Sequence, residues 1–583
     1  MINNNLVHPA LIFIIGAILL PFLKWRILKQ LIVLLIPAFA FMMIYHMPEG
    51  VYWCFDFLNY TLVFGRVDKL SLVFGYIFVI MAFLGMVYAI KIEEYGQHVA
   101  ALTYIGGTLG VVFAGDFFTL FVFWELMAIS SVFLVWYARN ERALKAGFRY
   151  LMVHLVGGCV LLAGIIIVVS DTGTIAFSNI EFEGLGPILI LIGFILNAAV
   201  PPLSAWLPDA YPEATVTGSV FMTAFTTKSA VYILARTFPG VEILVWLGAI
   251  MALYGVVFAV LENDIRRLLA YHIISQVGYM VCGVGLGSEM AINGASAHAF
   301  CHILYKALLF MGAGAVIHVT GKNKMTELQG RGLYKSMPIT LTLYMVGAFS
   351  ISAVPLFNGF ISKTMVVAAA GELHRPAIEL MLHLASVGTF LHTGLKLPWG
   401  TWFGKSDKPV GELKAEEPPF NMLLAMGIAA FLCVLTGIYP SVLYNILPYE
   451  VTYHPYTAYH VVGMLQLLVL TGAAFWLMID KLGGEPTVSM DTDWFYRKGG
   501  EQFMRFCEGL SLFRIVVQEY AKRLVNSAIK LSYNPIYYTR LIFNKSETEV
   551  VHFDANIYRN AVGIGVMVSL ALFSLFSIIF LVS

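Results

Sequence analysis

Apolar runs of about 17 to 25 residues, long enough for an α-helix to cross a hydrocarbon core, follow one another from residue 6 to 480 and recur at 560–582. Inside lipid the backbone must satisfy its own hydrogen bonds, and an apolar helix does so within one segment. The pattern predicts an all-α polytopic membrane protein with about sixteen transmembrane helices. Composition agrees: 59% of the 583 residues are hydrophobic and 12% are charged, with a mean hydropathy of +0.80, against about 25% charged in soluble domains. The first run lacks a basic flank and a small-residue cleavage site, so we expect it to remain a membrane helix. Nothing in the chain suggests a nucleic-acid partner; the lipid bilayer is its expected surround.

Positive charge is placed unevenly. Loops after odd-numbered spans hold Lys24, Arg26, Lys29, Lys91, Arg139, Arg142, Lys145, Arg149, Arg266 and Arg267, among others, whereas loops after even-numbered spans hold only Arg66, Lys69, Arg236 and Arg375. By the positive-inside rule the odd loops face the cytoplasm and both termini face outward. This predicts a multi-pass protein of a prokaryotic cytoplasmic membrane.

Two apolar segments are interrupted by proline in similar words, "NAAVPPLSAW" at 197–206 and "ISAVPLFNGF" at 351–360. Proline removes a backbone donor and clashes with the preceding turn, so each segment reads as a broken helix. Matched breaks in two halves of a chain point to an internal repeat and a transport site. The expected division is 1–97 for N-terminal helices, 98–236 and 241–402 for two five-helix repeats, and 403–480 for additional helices. Five helices per repeat make the two copies inverted across the membrane. Region 490–559 differs: from Gly500 to Asn534 apolar residues such as Phe503, Phe506, Leu510 and Phe513 alternate with Arg505, Arg514, Lys522, Arg523 and Lys530. That is an amphipathic helix too charged to enter lipid. It is expected to lie laterally on the cytoplasmic surface, followed by a final transmembrane helix in 560–583.

A charge at the bilayer centre costs about 2.5 to 3.5 kcal/mol on insertion scales, so each one asks for a reason. Near the middle of the spans stand Glu125, Lys228, His298, His302, Lys306 and Lys363, with Lys396 closer to a span end. His298, His302 and Lys306 recur every fourth residue and share one helical face. A metal reading fails there, because no third ligand is evident and Lys306 would repel a cation. Structural hydrogen bonding accounts for any one of these residues, and Lys396 could snorkel. A proton relay accounts for the set: histidines titrate near neutral pH, and moving one buried charge changes the protonation of the next.

The words "FFTLFVFWELM", "PPLSAWLPDAYPEA", "FTTKSAVYILAR", "ENDIRRLLAYHIISQVGYM", "HAFCHILYKALLFMGAG" and "VPLFNGFISK", in that order, resemble the antiporter-like proton-translocating subunit family. Its members are the pumping membrane subunits of complex I, of membrane-bound hydrogenases and of Mrp-type cation/proton antiporters, whose D-type component is the nearest. The resemblance implies fourteen core helices with two inverted repeats and a half-channel in each. It also implies a lateral arm like that of complex I's distal pumping subunit. Glu125 matches the family's fifth-helix glutamate, Lys228 its eighth-helix lysine, His298, His302 and Lys306 its central relay, and Lys363 its lysine at the second break. One position departs: where the family places a lysine about a turn before the first prolines, this chain has Asn197. Either Glu125 then pairs with Lys228, or the first half-channel is altered or idle.

The resemblance implies a proton-translocating subunit of a multisubunit respiratory or antiporter complex, and leaves Na⁺ exchange open. Its partners would be other membrane subunits, further antiporter-like ones included. Two alternatives stand beside it: a structural and assembly subunit, and a quinone-linked subunit of an oxidoreductase. The six cysteines show no C-x-x-C spacing, which supports neither an iron–sulfur site nor a disulfide framework. No catalytic centre, cofactor site or metal site is expected in the chain itself.

Overall fold

The computed structural model describes residues 7–404, 415–482, 491–543, 552–557 and 562–582. Residues 483–490 and 544–551, which flank the expected arm, lie outside them. Nine described helices are long and apolar enough to cross a membrane, from Arg26–Tyr45 to Ala458–Leu477. Four shorter apolar helices accompany them: Pro9–Phe22, Leu185–Asn197, Pro338–Ile351 and Val562–Ser577. The count falls below sixteen partly because some apolar runs are broken. The run 216–236, long enough to predict one span, is two helices, Val216–Met222 and Thr226–Thr237. The run 378–402, likewise expected as one span, is an α-helix, Pro376–Thr389, that runs on as π-helical segments Phe390–Lys396 and Trp399–Phe403.

The all-α expectation needs one correction. Strands Gly50–Phe57 and Tyr60–Val67 form an antiparallel hairpin, with Phe57 opposite Tyr60 and Leu58 turning the chain at φ 53°. The segment is rich in aromatic and β-branched residues and is broken by a two-residue turn at Leu58 and Asn59, which favours paired strands over a helix. Asp116 ties the hairpin to the helices, its Oδ2 accepting from the Val63 amide at 2.7 Å.

Packing divides the chain into two units, 1–493 and 494–583. In the first, two stretches are built alike. Asp116 caps helix Phe117–Trp136, and Asp264 caps helix Ile265–Leu286, each carboxylate accepting from amides of the first turn, as an N-cap should. Each is followed by a 32-residue helix, Glu141–Thr172 or Glu289–Thr320, which stops at a glycine in the left-handed region. Antiparallel bridges join Asp116 to Ala176 and Asp264 to Lys324. These landmarks share a constant offset of 148 residues (116 to 264, 172 to 320, 176 to 324).

The two proline breaks are also alike in backbone detail. Ala199 (φ 59°) and Ala353 (φ 57°) adopt left-handed geometry just past the ends of Leu185–Asn197 and Pro338–Ile351. At each, the alanine amide donates three residues back and the following valine amide five residues back, at 3.0 to 3.1 Å. Those bonds satisfy the end carbonyls as a Schellman motif does.

Two cavities gather residues from different sets of loops. Arg66, Asp68, Lys69, Arg236 and Tyr449 line one cavity of about 520 Å³. Lys91, Gln97, Thr215, His318 and Asn421 line another of about 320 Å³. The first set follows even-numbered spans and the second odd-numbered ones.

The second unit holds helix Asp493–Tyr533, helix Pro535–Phe543 and helix Val562–Val582. The amphipathic helix thus starts seven residues before Gly500 and ends at Tyr533, and a separate helix opens at Pro535, where the missing donor of a first helical position costs nothing.

Candidate functional site

Helix Glu289–Thr320 forms the centre of the first unit. Ser288 opens it by accepting from the Ala291 amide, and its apolar window is 94% buried. A helix wrapped in protein on every side can carry polar groups on one face only if neighbouring helices receive them. His298, His302 and Lys306 are each fully buried on that face.

Their partners come from two helices and a π-helical turn. His298 Nδ1 shares a hydrogen bond with Ser362 Oγ at 3.1 Å, beside Lys363 on Asn358–Glu372. The ring of His302 lies 6.2 Å from that of His298 and 5.3 Å from Tyr305, and neither of its nitrogens has a partner. One turn further, Lys306 Nζ meets His272 Nδ1 at 3.2 Å. The Thr389 hydroxyl donates to Ala385 O at 2.8 Å, so its oxygen accepts at 3.2 Å from both His272 Nε2 and Gln276 Nε2. That fixes the tautomer of His272: Nε2 carries the hydrogen, and Nδ1 is the lone pair that receives the Lys306 ammonium. His392 follows, its ring 4.7 Å from that of His272, and Lys396 lies one turn beyond it.

Three of the predicted lysines are held in one way. Lys228 Nζ donates to Thr223 O at 2.6 Å, just past the end of Val216–Met222. Lys363 Nζ donates to Ile351 O at 3.0 Å, at the end of Pro338–Ile351. Lys396 Nζ donates to Val260 O and, at 3.1 Å, to Glu262 O, at the end of Glu242–Leu261. The last carbonyls of a helix lack intrahelical donors and carry the negative end of its dipole. Each break or helix end therefore supplies a fixed partial negative charge for one buried ammonium. Lys363 also lies over the ring of Tyr279, 5.2 Å from its centroid.

Tyr279, under Lys363, has its ring 5.7 Å from that of His298, and the helix that carries Lys228, Thr226–Thr237, packs against Glu289–Thr320. The structure thus brings together Lys228, His298, His302, Lys306 and Lys363, and reaches Lys396 through His392.

Glu125 stands apart. It is half-buried, Oε1 has no hydrogen-bond partner, and it makes no ion pair with Lys228 or any other described base. Its carboxylate rests on helix Glu141–Thr172, so closely that a Cβ on Gly158 would collide with Oε1. Asn197, at the end of Leu185–Asn197, is bonded through Oδ1 to His154 Nδ1 at 3.0 Å.

Sequence reasoning missed His154, His272 and His392. Each sits inside an apolar span; His154 and His272 belong to no row of bases on their own helices, and His392 is paired at four-residue spacing only with Lys396. The 148-residue offset supplies a signal, since it carries His154 onto His302. Among the described residues no group of three or more His, Cys, Asp or Glu could hold a metal ion.

A family model described as "NADH:quinone oxidoreductase/Mrp antiporter, TM" matches residues 114–391. The chain is 31% identical over 356 residues to an uncharacterized protein of Methanocaldococcus jannaschii, covering 58% of this chain and 73% of that one. It is 29% identical over 405 residues to the D-type component of the Na(+)/H(+) antiporter of Alkalihalophilus pseudofirmus, covering 63% and 81%. In fold it is similar to a chain of the archaeal membrane-bound sulfane sulfur reductase, with a TM-score of 0.66 at 23% identity over 79% of this chain and 97% of the other. It is likewise similar to a chain of the Mrp complex from Dietzia, with a TM-score of 0.62 at 20% identity over 82% and 95%. The chain belongs to the NADH:quinone oxidoreductase/Mrp antiporter transmembrane family, and it is an integral, multi-pass, antiporter-like membrane subunit.

Proposed function

We propose that the chain moves protons through a multisubunit membrane complex along the file Lys363, His298, His302, Lys306, His272, His392 and Lys396, with Lys228 biasing the centre. The observation that carries this reading is the contact between Lys306 and His272. It turns a row of bases on one helix into a path that crosses to a second helix and continues toward Lys396. The unpartnered nitrogens of His302 and His392 Nε2 suit groups that exchange protons through water, since a buried polar atom without any partner is costly.

The matched caps, 32-residue helices and alanine-turn breaks support two repeats, which their odd helix number would invert across the membrane. Loop segregation and the positive-inside rule support both termini outside and the lateral helix on the cytoplasmic side of a prokaryotic membrane. Other antiporter-like membrane subunits are the partners this reading requires. Exchange for Na⁺ needs clustered oxygen ligands, and the described axis is made of nitrogen bases.

The reading is tested in proteoliposomes containing the native complex, with an imposed potassium diffusion potential and a trapped pH dye. Lys306→Ala should remove most of the proton flux while assembly stays normal. Full flux with Lys306→Ala would end the proposal and favour a structural subunit.

A further inference from the structure

The first half of the chain lacks the lysine that its family places at Asn197, yet the polar site there is not empty. His154 is 2% exposed in the middle of a 32-residue helix. Its Nδ1 meets Asn197 Oδ1 at 3.0 Å, and an amide oxygen only accepts, so Nδ1 carries the hydrogen. Nε2 is left as a lone pair, and it has no partner. One turn along the same helix, Gly158 gives its missing side chain's space to the carboxylate of Glu125, whose Oε1 is also unpartnered. Side chains at i and i+4 stand roughly 5 to 6 Å apart at Cβ, so the carboxyl that fills the place of a Gly158 side chain neighbours the His154 position along the helix. Two unpartnered buried atoms, a lone pair and a carboxyl oxygen, thus stand on one helical face with a one-turn separation.

Other groups around the imidazole are not bases. Tyr150 and Trp206 pack against its ring at 4.2 and 4.5 Å. Arg149 is occupied by Asp209 in a two-bond pair at 2.7 and 2.8 Å. The Tyr150 hydroxyl bonds Ser131 at 2.8 Å and interacts with Thr226, and next to Thr226 in the chain Thr227 and Ser229, with buried hydroxyls that lack partners, flank Lys228. The offset of 148 residues that relates the landmarks of the two stretches also relates His154 to His302.

Resting on the proton-translocation reading, we propose that His154 is the proton-carrying base of the first half, in the place the family gives to a lysine at position 197. A proton leaves the Glu125 carboxyl through a bridging water and enters His154 Nε2, giving a carboxylate and an imidazolium. Asn197 acts as a positioning residue: by accepting from Nδ1–H it keeps Nε2 facing the acid. The imidazolium then releases its Nε2 proton toward the hydroxyls that lead to Lys228.

The test uses the native complex in proteoliposomes, reading proton flux under a potassium diffusion potential beside the yield of assembled complex. His154→Gln should assemble and lower flux by about 10²-fold, the usual scale for a positioned acid–base group. Adding Asn197→Lys to His154→Gln should restore flux to within about threefold of wild type, because the lysine returns a titratable base to the family's place. A merely structural histidine would not be rescued in this way. Wild-type flux in His154→Gln, or no rescue by the added lysine, overturns the inference. Lys306→Ala serves as the control: if it too pumps normally, the underlying reading has failed, whereas its failure to pump beside an active His154→Gln sinks the present inference alone. Should His154→Gln not assemble, Asn197→Leu decides, since it leaves the imidazole and removes only its tautomer lock; unchanged flux there also overturns the proposal.

Discussion

Lys228, Lys363 and Lys396 show how a membrane interior holds a cation without a carboxylate. Each ammonium sits on carbonyls at a helix end, so its partner is part of the backbone and cannot be neutralised by taking up a proton. A fixed partner leaves the lysine as the only group of the pair that changes state, which suits a relay. Such an arrangement costs stability, because a buried ammonium loses its hydration, a cost that an uncharged methionine of similar length does not carry. We therefore expect Lys363→Met to leave the thermal unfolding temperature of the complex equal or higher while proton flux falls to background. A variant that unfolds earlier yet pumps normally would assign Lys363 to structure instead. Gly158→Ala separates function from folding at the other site. The intruding Cβ meets only the end of a flexible side chain, so the complex should assemble at wild-type yield with a displaced Glu125 and reduced flux. Wild-type flux there would show that the position of the carboxylate does not matter.

At the scale of elements, the breaks at Ala199 and Ala353 carry a local cost. An L-residue in left-handed geometry costs roughly 1 to 2 kcal/mol, and glycine does not bear it. Ala199→Gly and Ala353→Gly should each raise stability in detergent by about 1 kcal/mol, offset in part by the greater freedom of glycine when unfolded; the corresponding valine variants should lower it. Equal melting in all four would mean that these turns relax elsewhere. Both breaks were legible because proline marks them. The break at 223–225 and the π-helical turn at 390–396 were not, since "MTAFTT" and "FLHTGLK" contain no proline and their form is imposed by packing. The same limit governs the site. Periodicity on a single helix exposed His298, His302 and Lys306, because three bases at four-residue spacing are improbable on an apolar face. His272 and His392 become relay members only by meeting across helices, and no one-dimensional pattern encodes that contact. The hairpin at 50–67 escaped for a different reason: it lies between apolar runs, each of its strands is too short to cross a membrane as helix, and only the pairing of the two tells it from a loop.

For the whole molecule, the second unit poses the sharpest physical question. Helix Asp493–Tyr533 has 41 residues, about 60 Å at 1.5 Å per residue, twice the hydrocarbon thickness. Phe503, Phe506, Leu510, Phe513, Val517 and Leu524 recur along it, and an amphipathic helix needs a surface that receives its apolar face to be stable. Just before it begins, Asp491 is fixed within the first unit: the hydroxyls of Tyr254 and Tyr271 both donate to its carboxylate, the latter at 2.7 Å. An amphipathic arm that leaves the first unit at this anchored residue is expected to brace neighbouring membrane subunits. Removing residues 490–583 should then lower the yield of intact complex several-fold in native gels. Asp491→Ala should do the same to a smaller degree, because it frees the tether and leaves the apolar face. The helices of the first unit bury their own core without the arm, so the truncated chain should still enter the membrane at wild-type amounts. A truncated complex that stays whole and pumps at the full rate would show that the arm braces nothing, and its apolar face would then have to be covered by lipid.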